Sequence, residues 1–223
     1  ISVNYGRNFL FLNSLYSYFI KNKRDEIFRN HRSKFKFNKK TKLLDVGTTS
    51  SLDSHENIIL KKFKWKKNIS CLSNQNLKTL KKRYPEINLY KGDARRMKFK
   101  NSSFDVVYSS ATIEHVGSFK NQTKFIKECF RVSKRLVFIA TPNRYFPIDF
   151  HTRLPLLHFL PKPIHRTILK LFGENFLSKE ENLNLLSKTD LKKIFKTLKI
   201  KNFYIYDIKL FNFISNIILI IYK

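Results

Sequence analysis

Two carboxylates stand where apolar runs give way to small residues. Leu43-Leu44-Asp45-Val46-Gly47-Thr48-Thr49-Ser50-Ser51 sets Asp45 and a residue without Cβ at the end of a run with the character of a buried strand, and Gly92-Asp93-Ala94 repeats the arrangement farther along. A glycine lets backbone approach a ligand closely, and a carboxylate accepts hydrogen bonds from amino groups or hydroxyls. Together they suit a nucleoside-shaped ligand held across the C-terminal edge of a parallel sheet. Each half also has an ordinary structural reading, a strand-to-helix turn at Gly47 and an Asx-turn at Asp93. A third run, Ser103-Phe104-Asp105-Val106-Val107-Tyr108-Ser109-Ser110-Ala111, ends in small residues that leave room for a ligand, and Glu114-His115-Val116 follows it. His115 can take a proton from an acceptor or simply cap or pack; Asp149 and His151 are further pocket candidates on the same footing.

Other chemistries find no support. Thr49 and Ser51 stand where dinucleotide folds prefer glycine, and there is no Gly-Lys-Ser/Thr, so the ligand is not expected to be a pyrophosphate. Cys71 and Cys129 lie far apart with no paired motif, which indicates neither a disulfide framework nor a zinc site. His151, His158 and His165 recur every seven residues, but Pro155, Pro161 and Pro163 break any helix that would align them, so no metal site is expected.

The elements that must position these residues are legible as changes of period. Residues 7–31 carry Phe9, Leu10, Leu12, Leu15, Tyr16, Phe19 and Ile20 at helical spacing, ahead of a basic tract from Lys21 to Lys42. This predicts an amphipathic N-terminal helix and a basic linker over 1–39 that leans on the domain or covers a site. Short apolar runs at Leu43–Val46, Asn68–Leu72, Ile87–Tyr90, Phe104–Tyr108 and Leu136–Ala140 predict strands buried on both faces. Leu77, Leu80 and Tyr84, then Phe125, Ile126, Cys129 and Phe130, form helical stripes between them. The alternation predicts an α/β domain over 40–223 with a Rossmann-like, mostly parallel sheet and helices on both faces. Ser187, with Asp190 three residues on, caps a late helix, and Phe203–Ile208 with Phe213–Tyr222 predict a closing antiparallel hairpin. Five of the six prolines fall between Pro142 and Pro163, so residues 142–186 are expected to form a lid or substrate segment.

Bulk properties set limits. The chain has 223 residues, 42% hydrophobic, enough for one domain with a full core. A formal charge of +29 raises the prospect of nucleic acid or an anionic membrane, but the lysines are spread throughout, as a compositional bias toward Lys, Asn, Ile and Phe would leave them. Seven of the sixteen acidic residues, Asp45, Asp53, Glu56, Glu86, Asp93, Asp105 and Glu114, lie in the motif region, where a local negative field can oppose the global positive one. The cysteine usage fits a reducing, cytoplasmic compartment, and Leu210–Tyr222 is too short and too interrupted to span a bilayer as a helix. The chain opens at Ile1 without Met and shows no signal-peptide pattern, which suggests processing or truncation upstream.

In this order and spacing, Asp45-Val46-Gly47, Gly92-Asp93-Ala94, Ser103 to Ser109 and Ile113-Glu114-His115-Val116 resemble the class I S-adenosylmethionine-dependent methyltransferases. Glu-His-Val before a helix and Thr141-Pro142-Asn143-Arg144 after the fifth strand resemble the small-molecule branch. The resemblance implies a seven-stranded sheet with one antiparallel strand and S-adenosyl-L-methionine as cofactor. It implies that Asp45 and Gly47, flanked by Val46 and Thr48, meet the methionine end, that Asp93 and Ala94 beside Gly92 meet the adenine, and that Ser109, Ser110 and Ala111 lie on the sulfonium side. The acid that usually binds the ribose at the end of the second strand is replaced by Cys71-Leu72-Ser73-Asn74-Gln75, leaving Asn74 for that role. The expected reaction is methylation of an oxygen or nitrogen of a small or lipid-linked acceptor, with His115, Asp149 and His151 as catalytic candidates. An RNA methyltransferase is the alternative that charge favours, although no Asn-Pro-Pro-Tyr-like platform follows the fourth strand. A cofactor-binding scaffold without turnover is the alternative that the thinned glycine loop favours.

Overall fold

The computed structural model describes the chain over residues 10–52 and 56–223, with side chains from residue 22 onward. Seven strands form one sheet in the order β3-β2-β1-β4-β5-β7-β6. They are β1 (Leu43–Val46), β2 (Ile69–Ser73), β3 (Asn88–Lys91), β4 (Phe104–Ser110), β5 (Ser133–Pro142), β6 (Phe203–Leu210) and β7 (Phe213–Tyr222). β1 to β5 run parallel, and β7 lies antiparallel to both β5 and β6. The Rossmann-like fold expected from the period changes is therefore present, with the topological switch between β1 and β4, where a ligand crevice opens in such sheets.

Alternation along each strand divides the core. Leu43, Cys71, Val106, Tyr108, Phe138 and Ile220 face one side, where helices α1 (Leu10–Phe35), α2 (Ile58–Lys62) and α3 (Lys78–Arg83) bury Ile27, Phe35, Ile59 and Leu80. Leu44, Val46, Val107, Val137, Ile139 and Leu219 face the other, against Phe125, Ile126 and Cys129 of α4 (Phe119–Val132) and Leu191, Ile194 and Phe195 of α6 (Lys188–Leu198). Successive strand residues thus enter opposite layers, which is why the runs read as continuous rather than alternating.

α1 continues to Phe35, through most of the tract expected to be linker. The reason is packing: Ile27, Phe28 and Phe35 reach the core, and the Phe35 ring lies 5.1 Å from that of Phe138. The apolar residues on which the helix was expected, Phe9 to Ile20, lie outside the residues with described side chains. Ser187 caps α6 as expected, in a capping box with Asp190, each side chain bonding the other's backbone N–H. The hairpin link is Phe211–Asn212, with φ of 49° and 65°, the left-handed pair that a two-residue type I′ connection requires.

Residues 143–186, most of the segment 142–186 expected as a lid or substrate segment, form an insert between β5 and α6. A helix unmarked in the sequence reading, α5 (Lys162–Leu171), begins there because Pro163 falls in its first turn, where the missing N–H costs nothing. Leu169, Leu177, Leu183 and Leu185 give the insert a small core of its own. It is pinned to the turn after β4: Asn184 N donates to Glu114 O at 2.7 Å, and Asn184 Nδ2 donates to Gly117 O at 2.8 Å.

Candidate active site

A cavity of about 980 Å³ opens at the C-terminal edge of the sheet, between the tips of β1 to β4 and the insert. That is the upper end of the ~300–1,000 Å³ range of ligand pockets, roomy enough for two molecules side by side. A smaller cavity of about 50 Å³ adjoins it and shares Arg24, Gly47, Thr49, Glu56, Ser110 and Ala111.

β1 delivers its chain into the site through a turn that only glycine fits. Gly47 has φ +87°, and a Cβ there would stand 2.1 Å from Thr112 Oγ1. Asp45 lies beneath this turn, buried, its carboxylate accepting from Thr48 Oγ1 at 2.9 Å. Burial pushes its pKa up to about 7, against which the Thr48 hydrogen bond acts only in part. Asp45 and Thr48 line the small cavity rather than the large one. Val46 and Ser109 line neither; Ser109 Oγ donates to Val46 O at 2.8 Å, so this pair ties β4 to β1 from inside the core. These two residues were expected at the cofactor, and close strand packing explains their burial.

At the tips of β2 and β3, Leu72, Ser73, Asn74, Gly92, Asp93 and Ala94 line the large cavity. Gln75, which carries no sequence signal, accepts from Ser50 N at 3.0 Å and so braces the loop after Gly47. Asp93 forms the Asx-turn offered as its structural reading and also lines the cavity. Its Oδ1 accepts from Arg95 N at 2.8 Å, an Asx-turn, while the Arg95 guanidinium grips both oxygens at 2.7–3.0 Å. The Arg95 hydrogen bonds hold its carboxyl below the usual carboxylate range.

The β4 tip leads through Ser110 and Ala111 to a 3₁₀ turn, Ile113–His115, that contains a buried acid and a half-buried imidazole. His115 Nδ1 donates to Asn182 O at 2.6 Å, and its Nε2 lies 3.2 Å from Nε2 of His151, which comes from the insert. His151 Nδ1 is 3.2 Å from Asp149 Oδ1, and Asp149, itself buried, accepts also from Thr152 Oγ1 at 2.7 Å. Burial holds the His115 pKa down. Burial acts on His151 likewise, but the Asp149 hydrogen bond and the charges of Asp149 and Glu114 outweigh it, and the net shift is upward. The fold therefore brings together His115, Asp149 and His151, and His115 and His151 line the same cavity as Gly47, Asn74, Gly92, Asp93, Ala94, Ser110 and Ala111. Of the three evenly spaced histidines only His151 faces it; His158 and His165 pack 6.4 Å apart within the insert. Lys23, Arg24 and Ile27 line the cavity too, so α1 forms part of its wall.

Residues 60–140 match the family described as methyltransferase domain. Over 81 residues the chain is 33% identical to a probable S-adenosylmethionine-dependent methyltransferase of Mycolicibacterium smegmatis, a match covering 32% of this chain and 30% of that one. The chain thus spans under a third of the length of the curated relative it matches. Among solved structures, PH0226 protein of Pyrococcus horikoshii OT3 superposes with a TM-score of 0.57 at 15% identity, covering 90% of each chain. The magnesium protoporphyrin IX methyltransferase ChlM of Synechocystis PCC 6803, solved with bound SAH, superposes with a TM-score of 0.60 at 12% identity, covering 98% of this chain and 89% of that one. At these identities the likeness is one of fold.

Proposed function

We propose that this chain, a class I S-adenosylmethionine-dependent methyltransferase by its sheet order and its match over residues 60–140, methylates an oxygen or nitrogen of a small or lipid-linked acceptor. The observation that carries the reading is a shared wall: the glycine turns at Gly47 and Gly92 and the imidazoles of His115 and His151 line one cavity.

The residues present suit the cofactor. Gly47 holds a turn that any Cβ would block, and Leu72, Ala94 and Val116 offer apolar walls to a flat ring. Asp45 is a buried carboxylate with a raised pKa, a group that gains from a cationic amine arriving beside it. Asn74 replaces an acid as partner for sugar hydroxyls. Bound there, S-adenosylmethionine supplies a methyl group already activated by the sulfonium charge. The protein's own part is alignment and exclusion of water, which contribute roughly 7–11 kcal/mol to such reactions. Ser110 and Ala111 keep the space beside the turn open, and His115 and His151, oriented by Asn182 and Asp149, meet the acceptor's reacting atom.

Two features bear on the acceptor. Lys23, Arg24, Lys91, Arg95 and Arg153 all line the cavity, which favours an acceptor bearing phosphate or carboxylate. Leu171 and Phe172 at the end of α5 are 81% and 73% exposed, and Phe176 just beyond lines the cavity, which supports an acceptor presented at a lipid surface. The charge of +29 favours RNA as the second reading. Incubation with methyl-labelled cofactor and fractionated extract separates them. Label in small-molecule or lipid fractions is expected; ribonuclease-sensitive label would establish the RNA reading, and cofactor binding without transfer to any fraction would establish a scaffold.

A further inference from the structure

We propose that Glu114, His115 and His151 form a site for one divalent transition-metal ion in the cavity wall, because each has its other polar atom occupied and turns its remaining donor atom toward a common point. Glu114 Oε2 accepts from Thr141 Oγ1 at 3.0 Å, while Oε1 is fully buried and has no hydrogen-bond partner. His115 donates from Nδ1 to Asn182 O and His151 from Nδ1 to the Asp149 carboxylate, so Nε2 of each ring is the atom left to bind an ion, that of His151 once the ion has displaced its proton. These three atoms lie within 4.8 Å of one another, with 3.2 Å between the two nitrogens and 3.8 Å from His151 Nε2 to Glu114 Oε1.

At 3.2 Å the two Nε2 atoms need a positive centre between them, which is either one proton shared by the rings or a metal ion. Nitrogens each ~2.0–2.1 Å from a tetrahedral ion stand about 3.3–3.4 Å apart, so the observed spacing is close to one edge of such a polyhedron. The charges agree. Glu114 and Asp149 place two carboxylates in the interior, and a divalent ion balances both where a single imidazolium balances one. The support behind the donors is also that of a metal centre: ligating imidazoles characteristically hydrogen-bond a carboxylate or carbonyl through the second ring nitrogen. Two imidazoles and one carboxylate favour zinc, manganese, iron or cobalt over magnesium or calcium, which prefer oxygen.

His115 and His151 line the cavity, so the ion's open position faces the acceptor. Resting on the methyltransferase reading, this narrows the acceptor to one that offers a hydroxyl oxygen as ligand, made more acidic by the ion. The sequence hid the site because Glu114-His115 belongs to the turn after β4 and His151 to the insert.

The test uses the full chain, freed of metal with chelator and titrated with Zn²⁺ alone by calorimetry and with Co²⁺ alone by visible absorption. One equivalent per chain is expected. His151→Asn and Glu114→Gln should each weaken binding ~100-fold or more, and Asp149→Asn, which touches no ion, about 10–100-fold. His158→Ala and His165→Ala should bind as the parent does. Retained S-adenosylmethionine binding and an unchanged unfolding transition identify variants that are folded. Absence of binding by the parent chain, or parent-like binding by folded His151→Asn and Glu114→Gln, would overturn the site. Metal binding without any methyl transfer would uphold it and remove the reading of activity. Methyl transfer indifferent to chelator but abolished by His151→Asn would make the imidazole pair a bare proton acceptor and overturn the ion's part in presenting a hydroxyl acceptor.

Discussion

The Thr112 hydroxyl occupies the space that a side-chain carbon on Gly47 would need, 2.1 Å from the ideal Cβ position. The two residues close the turn between β1 and the crevice together, and Thr112 Oγ1 donates to Val46 O at 3.3 Å and to Ser110 O at 3.2 Å. Gly47→Ala therefore faces both a left-handed backbone and a collision. Urea unfolding should show a loss of about 2 kcal/mol or more. Thr112→Ala in the same chain should recover only part of it, since Thr112 Cβ itself is 2.8 Å away and the backbone strain at φ +87° persists.

Asp45 makes stability depend on pH in a stated direction. Its folded pKa, about 7, exceeds the ordinary carboxylate value of 3.8, so the folded chain retains a proton that the unfolded chain releases. Its contribution is most favourable below about pH 4, declines as pH rises toward 7 and is level above that, for a total on the order of 4 kcal/mol. Unfolding between pH 4.5 and 8 should show this decline for the parent chain and not for Asp45→Asn. A cationic ligand amine favours the ionised form, so S-adenosylmethionine affinity should rise with pH through 7, and calorimetry in buffers of different ionisation enthalpy should register a released proton.

Asp93 and Arg95 separate binding from stability. Both side chains are substantially exposed, so their ion pair should contribute under about 1 kcal/mol to folding. Asp93→Ala should nevertheless weaken cofactor binding by about 1–3 kcal/mol through the lost hydrogen bond. Calorimetry and urea unfolding of the same preparation check the two halves. Unchanged affinity in a folded variant would leave Asp93 as the Asx-turn residue it also is.

The exposed end of α5 offers a check on the lipid-linked acceptor. Co-sedimentation with anionic vesicles should be salt-sensitive, given the +29 charge, and should fall several-fold for Leu171→Ser with Phe172→Ser. Parent and variant partitioning alike would remove this surface from the acceptor's approach. Among the described residues no helix is long and apolar enough to cross a membrane.

Ser187→Ala removes one half of the capping box at α6 and should cost about 1 kcal/mol in urea unfolding. A smaller cost for Asp190→Ala is expected, because Ser187 Oγ still accepts from the N–H of residue 190.

The sequence by itself determined what depends on local pattern. Leu43–Val46 reads as a buried strand because side chains on both faces are apolar, Gly47 marks a turn because its left-handed backbone suits glycine, and Ser187 with Asp190 announces a helix start. Order and spacing of those motifs were enough to anticipate the sheet, whose C-terminal edge carries the large cavity. Tertiary structure alone decided which polar groups end up facing one another. Ser109 and Val46 looked like ligand residues and became a bond inside the core, while Glu114, with no role of its own in the sequence, became the buried acid beside His151. α1 outran its expected length because Phe35 found Phe138, more than a hundred residues away. Such pairings rest on burial and on distance in space, and neither quantity has a period along the chain.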